Sequence, residues 1–488
     1  MQVILFTDVS DTIGYGKYAG TYKIATEIRN NGYTCQVVDL FSYYSTVELE
    51  KIVSKFCSSE TVLVGFSCSL MPKHHSPWLT FGRPDQEFIS IVDKIKSINN
   101  NIKVCLGGAT MTVDSHWQGV DYVIINKGDI AIIKLIKHLI EDDDIKVIKS
   151  SPCQVIDGND YFYTQEQFAV SNIKYVPEDI IFPGESLPIE VARGCIFQCA
   201  FCHYDLIGKR AGDWQKTESA LRDELIMNYE KFGTTHFMFT DELINESLPK
   251  MELIHSVLTK LPFKISYTSY ARLDLIWKFP EMREMLLESG AKSLVLGIET
   301  LHEAAGKKIG KGLGEKRVKE TLNYCAETWK GKIITSSNFI VGLPGEDESS
   351  VRNTVDYLVS DDCPLDIIGF TPLSIRQKHD GRSSTSKIDQ DPKKFGYIVE
   401  VGQPWKGNDM NFMQAHALVR DIYADKRVVD KRKFPTSWIG RILNIGYTFE
   451  DVFKMINDET YSYENIKNRL INESDSKKKW YFNQLMAL

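Results

Sequence analysis

Short apolar runs alternate with longer stretches of helical spacing over residues 1–150. Val3–Phe6, Gln36–Asp39, Val62–Phe66 and Ile102–Leu106 are β-forming runs, and Gly20–Asn31 and Val47–Phe56 carry the helical pattern. Buried strands joined by helices predict a doubly wound, flavodoxin- or Rossmann-like parallel α/β sheet. Ligands on such sheets bind beyond the carboxyl ends of the strands.

A second βα rhythm starts near Leu187. Strands are expected at Pro188–Ala192, His236–Thr240, Lys264–Thr268, Ser293–Gly297, Ile333–Val341 and Asp366–Phe370, with helices such as Glu218–Phe232 and Lys316–Lys330 between them. Six units instead of eight predict a partial (β/α)6 TIM-type barrel, whose chemistry gathers at the carboxyl ends of its strands. Beyond 372 the rhythm stops. Lys378–Lys394 is polar and reads as a long loop, and Asn411–Tyr423, Trp438–Ile445 and Phe449–Asn457 are helix-like. The expected organisation is an N-terminal domain at 1–150, a linker at 151–185, the barrel at 186–372 and a mostly helical C-terminal domain at 373–488.

Composition narrows the class. At 488 residues, 43% hydrophobic and 25% charged, the chain can bury more than one core. It has no run of the roughly 20 apolar residues that a bilayer span needs. The first residues form a strand-like run without a basic, cleavable leader, and ten scattered cysteines do not resemble a secreted disulfide framework. A reducing cytoplasm is therefore the expected location. A net charge of −7 argues against broad capture of a nucleic-acid backbone. The two basic clusters, Asp425–Lys433 and Lys477–Lys479, read as solvated surface.

The chemistry concentrates in Cys195-Ile-Phe-Gln-Cys199-Ala-Phe-Cys202. Three thiolates from one tight loop are one short of the four that usually hold a [4Fe–4S] cluster, leaving one iron open. Two blander readings stay open: buried thiols, or a zinc site completed by His203. The spacing, with Phe201 before the last cysteine, resembles the motif of radical S-adenosylmethionine (SAM) enzymes. That resemblance implies that the open iron chelates SAM and that electron transfer releases a 5′-deoxyadenosyl radical.

Residues at successive strand ends extend the resemblance. Thr240-Asp241-Glu242 resembles the segment whose acidic residue meets the SAM amine, with Glu242 preferred and Asp241 second. Arg272 resembles the arginine near the SAM carboxylate, a match to guanidinium's planar fork. Glu299 would serve ribose or substrate, and Gly342, in Gly342-Leu-Pro-Gly345-Glu346, would form a backbone ledge beside the adenine. Taken singly these residues also read as a helix cap, a surface ion pair and a turn.

The N-terminal domain resembles the cobalamin-binding domain of B12-dependent radical SAM enzymes. Gly107-Gly108 matches the family's Gly-Gly, and Ser67 opens the position of its serine-containing loop. Asp11-Thr-Ile13-Gly-Tyr-Gly16 stands where the family has Asp-x-His-x-x-Gly, so cobalamin would bind without a lower-axial histidine. The alternative is a scaffold that has lost the cofactor. Cys35, Cys68 and Cys105 also raise the second cluster of methylthiotransferases, but Cys35 stands at the start of one predicted strand and Cys105 inside another, where thiols pack as small hydrophobes.

Together these resemblances imply a [4Fe–4S] cluster, SAM and cobalamin, and methyl transfer to an unactivated carbon. The alternatives are radical rearrangement, cyclisation or dehydrogenation, a methylthiotransferase, or a non-catalytic metal-binding module. The implied partners are a small-molecule, peptide or nucleotide substrate and an electron donor such as flavodoxin or ferredoxin.

Overall fold

The computed structural model describes residues 1–7, 16–67, 79–80, 83–108, 111–115, 117–204, 206–375, 385–400, 402–435, 438–458 and 460–488. Most of the Asp11–Gly16 segment, Cys68 with the rest of its serine loop, and part of Lys378–Lys394 lie outside the described residues. The chain divides into two compact units. One comprises Met1–Pro188 with Glu230–Phe232 and Ile471–Leu488, and the other Ile189–Tyr229 with Gly233–Leu470.

The first unit is built on strands β1 (Val3–Phe6), β2 (Cys35–Val38), β3 (Leu63–Ser67), β4 (Lys103–Gly107), β5 (Tyr122–Ile125) and β6 (Gln154–Asp157). They form one sheet in the order β2-β1-β3-β4-β5-β6, with parallel pairing throughout. This is the doubly wound order with a switch point between β1 and β3. Val3, Ile4, Leu5 and Phe6 are all buried, as a strand covered on both faces requires. Phe6 stacks on Phe66 at 5.0 Å between centroids. Helices α1 (Ala19–Asn30), α2 (Thr46–Phe56), α3 (Asp85–Ile98) and α4 (Ala131–Glu141) provide the connections. Ser45 starts α2 with a capping box to Glu48.

The expected linker at 151–185 is not one. It contributes edge strand β6, whose two apolar residues between polar ends give too short a run to read as a strand. It also supplies Asp179, fully buried, whose carboxylate takes both Nη1 and Nη2 of Arg29 at 2.9 and 2.7 Å. The stretch is tied into the unit by that bidentate pair.

The second unit carries strands β7 (Leu187–Ile189), β8 (His236–Phe239), β9 (Ser266–Ala271), β10 (Ala291–Leu296), β11 (Ile334–Val341) and β12 (Ile367–Pro372). They neighbour one another in chain order, and the pairs from β8 to β12 are parallel. Connections are made by α5 (Glu218–Phe232), α6 (Leu248–Thr259), α7 (Leu273–Lys278), α8 (Met282–Glu288), α9 (Glu303–Ile309), α10 (Glu315–Trp329) and α11 (Glu348–Leu358). This is the partial barrel expected. Strand β9 runs three residues past the expected Thr268, because its polar Ser269 and exposed Tyr270 break the apolar run that marked the strand in sequence.

The tail adds α12 (Phe412–Ala424), α13 (Lys426–Arg432), α14 (Ile439–Leu443), α15 (Phe449–Asn457) and α16 (Tyr463–Ala487). Helix α12 covers the edge of β12, where Tyr423 Oη both accepts from Phe370 N and donates to Phe370 O at 2.8 Å. Trp405 and Trp438 are core residues, whereas Met413 is exposed. The 25-residue α16 has buried positions at Ile466, Leu470, Ser474, Lys477, Tyr481 and Leu485. Two polar members interrupt the apolar stripe, which hides the helix from a periodicity reading. Lys477 is accordingly not surface. It lies 3.4 Å from Glu185 and over the Phe182 ring, and burial pulls its ammonium below the usual lysine value. Among the described residues no helix is long and apolar enough to cross a membrane.

Candidate functional site

The three-cysteine segment is a loop between β7 and α5 that glycine makes possible. Gly194 and Gly208 have φ of +81° and +78°. A Cβ on Gly194 would lie 2.5 Å from Leu206 O, so no other residue fits without moving backbone. The loop closes on itself through Cys195 N to Leu206 O at 3.2 Å and Gly208 N to Cys195 O at 2.7 Å. It is held from outside as well. Ala200 N donates to Ile309 O, and Ala200 O accepts from Ile388 N and Ser386 Oγ. Thr385 Oγ1 donates to Tyr204 O at 2.9 Å.

None of the three thiols is paired in a disulfide; Cys195 is buried, and Cys199 and Cys202 are partly open. Burial pushes the Cys195 thiol up to about 11 and raises Cys202, so a metal group bound here must displace protons. A cubane cluster spreads its thiolates over separate irons, and three ligands from one short loop fit that demand. Zinc needs its ligands converging on one ion. Among the described residues no three His, Cys, Asp or Glu side chains do so. His203 is instead engaged by Asp389, Nε2 to Oδ2 at 2.7 Å.

Asp241 and Glu242 have opposite fates. Asp241 is 1% exposed; its oxygens accept from Val191 N at 2.7 Å and Ala192 N at 2.9 Å, and Lys250 Nζ stands 2.6 Å from Oδ2. Both oxygens are consumed inside the protein, which corrects the expectation that Asp241 meets a cofactor. Glu242 is half-buried, and its carboxyl is pushed up to about 7, first by burial and then by the neighbouring Asp241 and Glu190. It adds to the field on Cys202 and on Tyr204.

Arg272 is 2% exposed and lies against the cysteine loop, its Nη1 donating to Cys199 Sγ at 3.3 Å. Glu299 sits at the end of β10 in a left-handed conformation, φ +69°, with its carbonyl accepting from Ile340 N. Its carboxylate faces Lys311 Nζ at 3.4 Å, and Lys311 also donates to Gly297 O. A non-glycine residue held at positive φ is the kind of strain that collects at functional sites. Gly342, φ +93°, offers no open ledge: a Cβ there would lie 2.9 Å from the Trp405 ring and 3.3 Å from Ala415. Glu346 closes that turn, accepting from Thr300 Oγ1 and Leu343 N. Phe201 is half-buried beside Cys202.

Lys311, Asn245 and Asp389 also belong to the site, though no sequence motif marks them. Lys311 carried one signal, a lysine flanked by Gly310 and Gly312. The other two act through contacts of |i−j| 27 and 186, which no local pattern encodes.

In the first unit, Ser67 and Gly107 are register partners at the carboxyl ends of β3 and β4. Gly108 follows at φ +122°. Among the described residues, a Cβ on Gly107 would meet Ile124 O at an ordinary 3.8 Å. Cys35 and Cys105 stand on strands separated by β1 and β3, three strand spacings or about 14 Å apart. Both thiols are raised by burial, Cys35 to about 12. Two cysteines so far apart cannot share a cluster.

The radical SAM superfamily model matches residues 189–358, the stretch holding the cysteine loop and β8 to α11. The chain carries a radical SAM domain. An uncharacterized methyltransferase of Pyrococcus horikoshii is 22% identical over 284 residues, covering 54% of this chain and 59% of the relative. The ribosomal protein uS12 methylthiotransferase RimO of Deinococcus radiodurans is 24% identical over 253 residues, 47% of each. The chain thus spans about half the length of these curated relatives. The radical SAM methyltransferase TsrM of Kitasatospora setae, solved with cobalamin and a [4Fe–4S] cluster, superposes with a TM-score of 0.66 at 16% identity. That match covers 94% of this chain and 99% of TsrM. OxsB, a cobalamin-dependent radical SAM enzyme solved with aqua-cobalamin and SAM, gives 0.58 at 14% identity over 100% of this chain and 80% of OxsB. At such identities the likeness is one of fold: an N-terminal Rossmann-like sheet together with a radical SAM barrel.

Proposed function

We propose that the chain is a cobalamin-dependent radical SAM methyltransferase acting on an unactivated carbon of a small molecule. The observation that carries this reading is the loop of Cys195, Cys199 and Cys202, three unpaired thiols beside a barrel strand end, with His203 committed to Asp389. These thiols would hold a [4Fe–4S] cluster, which supplies the electron for reductive cleavage of SAM.

The chain's own residues bind and orient. Glu242, half-buried and with its carboxyl pushed up to about 7 by burial, suits the SAM amine as a hydrogen-bond acceptor. Glu299 and Lys311 together offer an acceptor and a donor for hydroxyls at the end of β10. Asp241 keeps the β7 end in place from behind. The rim at Ser67, Gly107 and Gly108 supports cobalamin on the first unit, in keeping with the fold shared with TsrM and OxsB. The substrate class follows TsrM, which was solved with tryptophan. An electron donor of the flavodoxin or ferredoxin type and a cytoplasmic location complete the reading.

The test is anaerobic purification with hydroxocobalamin, iron, sulfide and corrinoid quantitation, and turnover with methyl-labelled SAM. Label in the product is the expected result. Product formed without label would replace methyl transfer by rearrangement, cyclisation or dehydrogenation.

A further inference from the structure

Arg272 was expected at the SAM carboxylate, and its surroundings argue for another role. A guanidinium has five N–H donors. Nε and Nη2 form a fork on Asp274, at 2.8 Å to Oδ1 and 2.5 Å to Oδ2. Nη2 also donates to Gly310 O at 3.4 Å, and Nη1 donates to Cys199 Sγ at 3.3 Å. Four of the five are thereby used. One hydrogen on Nη1 remains, too few for the two-point grip a carboxylate receives from arginine.

The group is also immobilised. Its Cζ lies 3.8 Å from the centroid of the Phe197 ring, within the same cysteine loop. The backbone of Arg272 is clamped at both ends by one side chain: N donates to Asn245 Oδ1 at 2.9 Å, and O accepts from Asn245 Nδ2 at 3.0 Å. With 2% exposure, neither the charge nor the direction of Nη1 can relax into water. Asp274 is the matching half. Burial pulls its carboxyl upward, but the hydrogen bonds and charge of Arg272 outweigh that and keep it below the usual carboxylate value.

A charge-assisted hydrogen bond to a ligating thiolate stabilises the more negative, reduced state of an iron–sulfur group, and such bonds help set reduction potentials. We infer that Arg272 is a positioning residue for the cluster rather than a SAM anchor: it fixes Cys199 Sγ and raises the reduction potential of the group bound there, with Asp274 moderating the effect. This inference rests on the three cysteines being cluster ligands. It makes delivery of the first electron depend on a contact one residue removed from the irons.

The experiment uses the full chain, anaerobically reconstituted, with iron and sulfide content and the midpoint potential followed by EPR in the absence of SAM. Arg272→Gln is expected to keep iron and shift the potential negative, with changed g values. Asp274→Asn keeps the guanidinium and removes its counter-charge, so its potential is expected to move positive. SAM affinity, read by equilibrium binding, is expected to change little in Arg272→Gln. Unshifted potentials in both variants, or loss of SAM binding in Arg272→Gln at an unchanged potential, would overturn the inference. If Arg272→Gln fails to fold, the sign of the Asp274→Asn shift decides alone. A wild-type chain that takes up no cluster would sink the functional reading itself, and this inference with it.

Discussion

Lys250 Nζ lies 2.6 Å from Asp241 Oδ2, with both side chains 1% exposed. Lys250 also donates to Leu243 O, and Asp241 receives the two backbone N–H groups that follow β7. The pair locks the end of the first barrel strand, where the cysteine loop begins. Asp241→Ala leaves two buried N–H groups without their acceptor and the buried Lys250 with only Leu243 O and the more distant Glu246 carboxylate, 3.8 Å away, and is expected to cost about 3–5 kcal/mol. Urea denaturation of the variant checks this, with a lowered midpoint as the expected result.

The cysteines test the site most directly. Replacing Cys195, Cys199 or Cys202 by alanine, one at a time, is expected to abolish iron and sulfide retention after anaerobic reconstitution. Cys325→Ala, which changes a buried thiol packed in α10, is expected to leave both unchanged. Metal analysis and visible absorption read the difference.

Gly194 carries a backbone prediction. Alanine there meets Leu206 O at 2.5 Å and must hold φ near +81°. A cost of about 1–3 kcal/mol for the conformation alone is expected, with more from the clash. Iron uptake should fall with it, because the loop that presents the thiols has to open. Gly233→Ala, also at positive φ but with open space around its Cβ, is the control for strain without a clash.

Glu346 gives a pH signature. Its carboxyl is 3% exposed and is pushed up to about 7, chiefly by burial and against the hydrogen bonds from Thr300 and Leu343. The folded state therefore binds this proton more tightly than the unfolded state. Its contribution to stability falls as pH rises from about 4.5 through about 7, and is smallest above that. Glu346→Gln keeps the shape without ionising, so its Tm relative to wild type should rise between pH 5 and pH 8. The change is on the order of 2 kcal/mol. Parallel Tm curves for the two proteins would disprove the assignment.

Tyr481 tests the C-terminal helix. Its hydroxyl reaches Asp39 Oδ2 at 3.1 Å, where Lys17 and Tyr22 also converge at 2.7 Å. Tyr481→Phe is expected to destabilise the first unit by about 1–2 kcal/mol, measured by denaturant unfolding.

The sequence by itself determined the two βα rhythms and the three thiols. Runs such as Val3–Phe6 and Val62–Phe66 are apolar enough to be strands wherever they sit, and Cys195, Cys199 and Cys202 share one loop by spacing alone. Short or polar-faced strands escaped. Gln154–Asp157 offers two apolar residues, and α16 buries Ser474 and Lys477 in its inward stripe, so neither leaves a clean period.

Only the tertiary structure decided which charged residues are spent and which are free. Asp241 and Glu242 are neighbours in the chain with the same chemistry, yet one is consumed by Val191, Ala192 and Lys250, while the other faces the cysteine loop's field. Arg272 reads as a carboxylate anchor until Asp274, Gly310 and Cys199 are seen to take its donors. The physical reason is reach. Period and propensity are set by neighbours a few residues away, whereas a buried charge answers to whatever the fold brings within about 3 Å of it, across any length of chain.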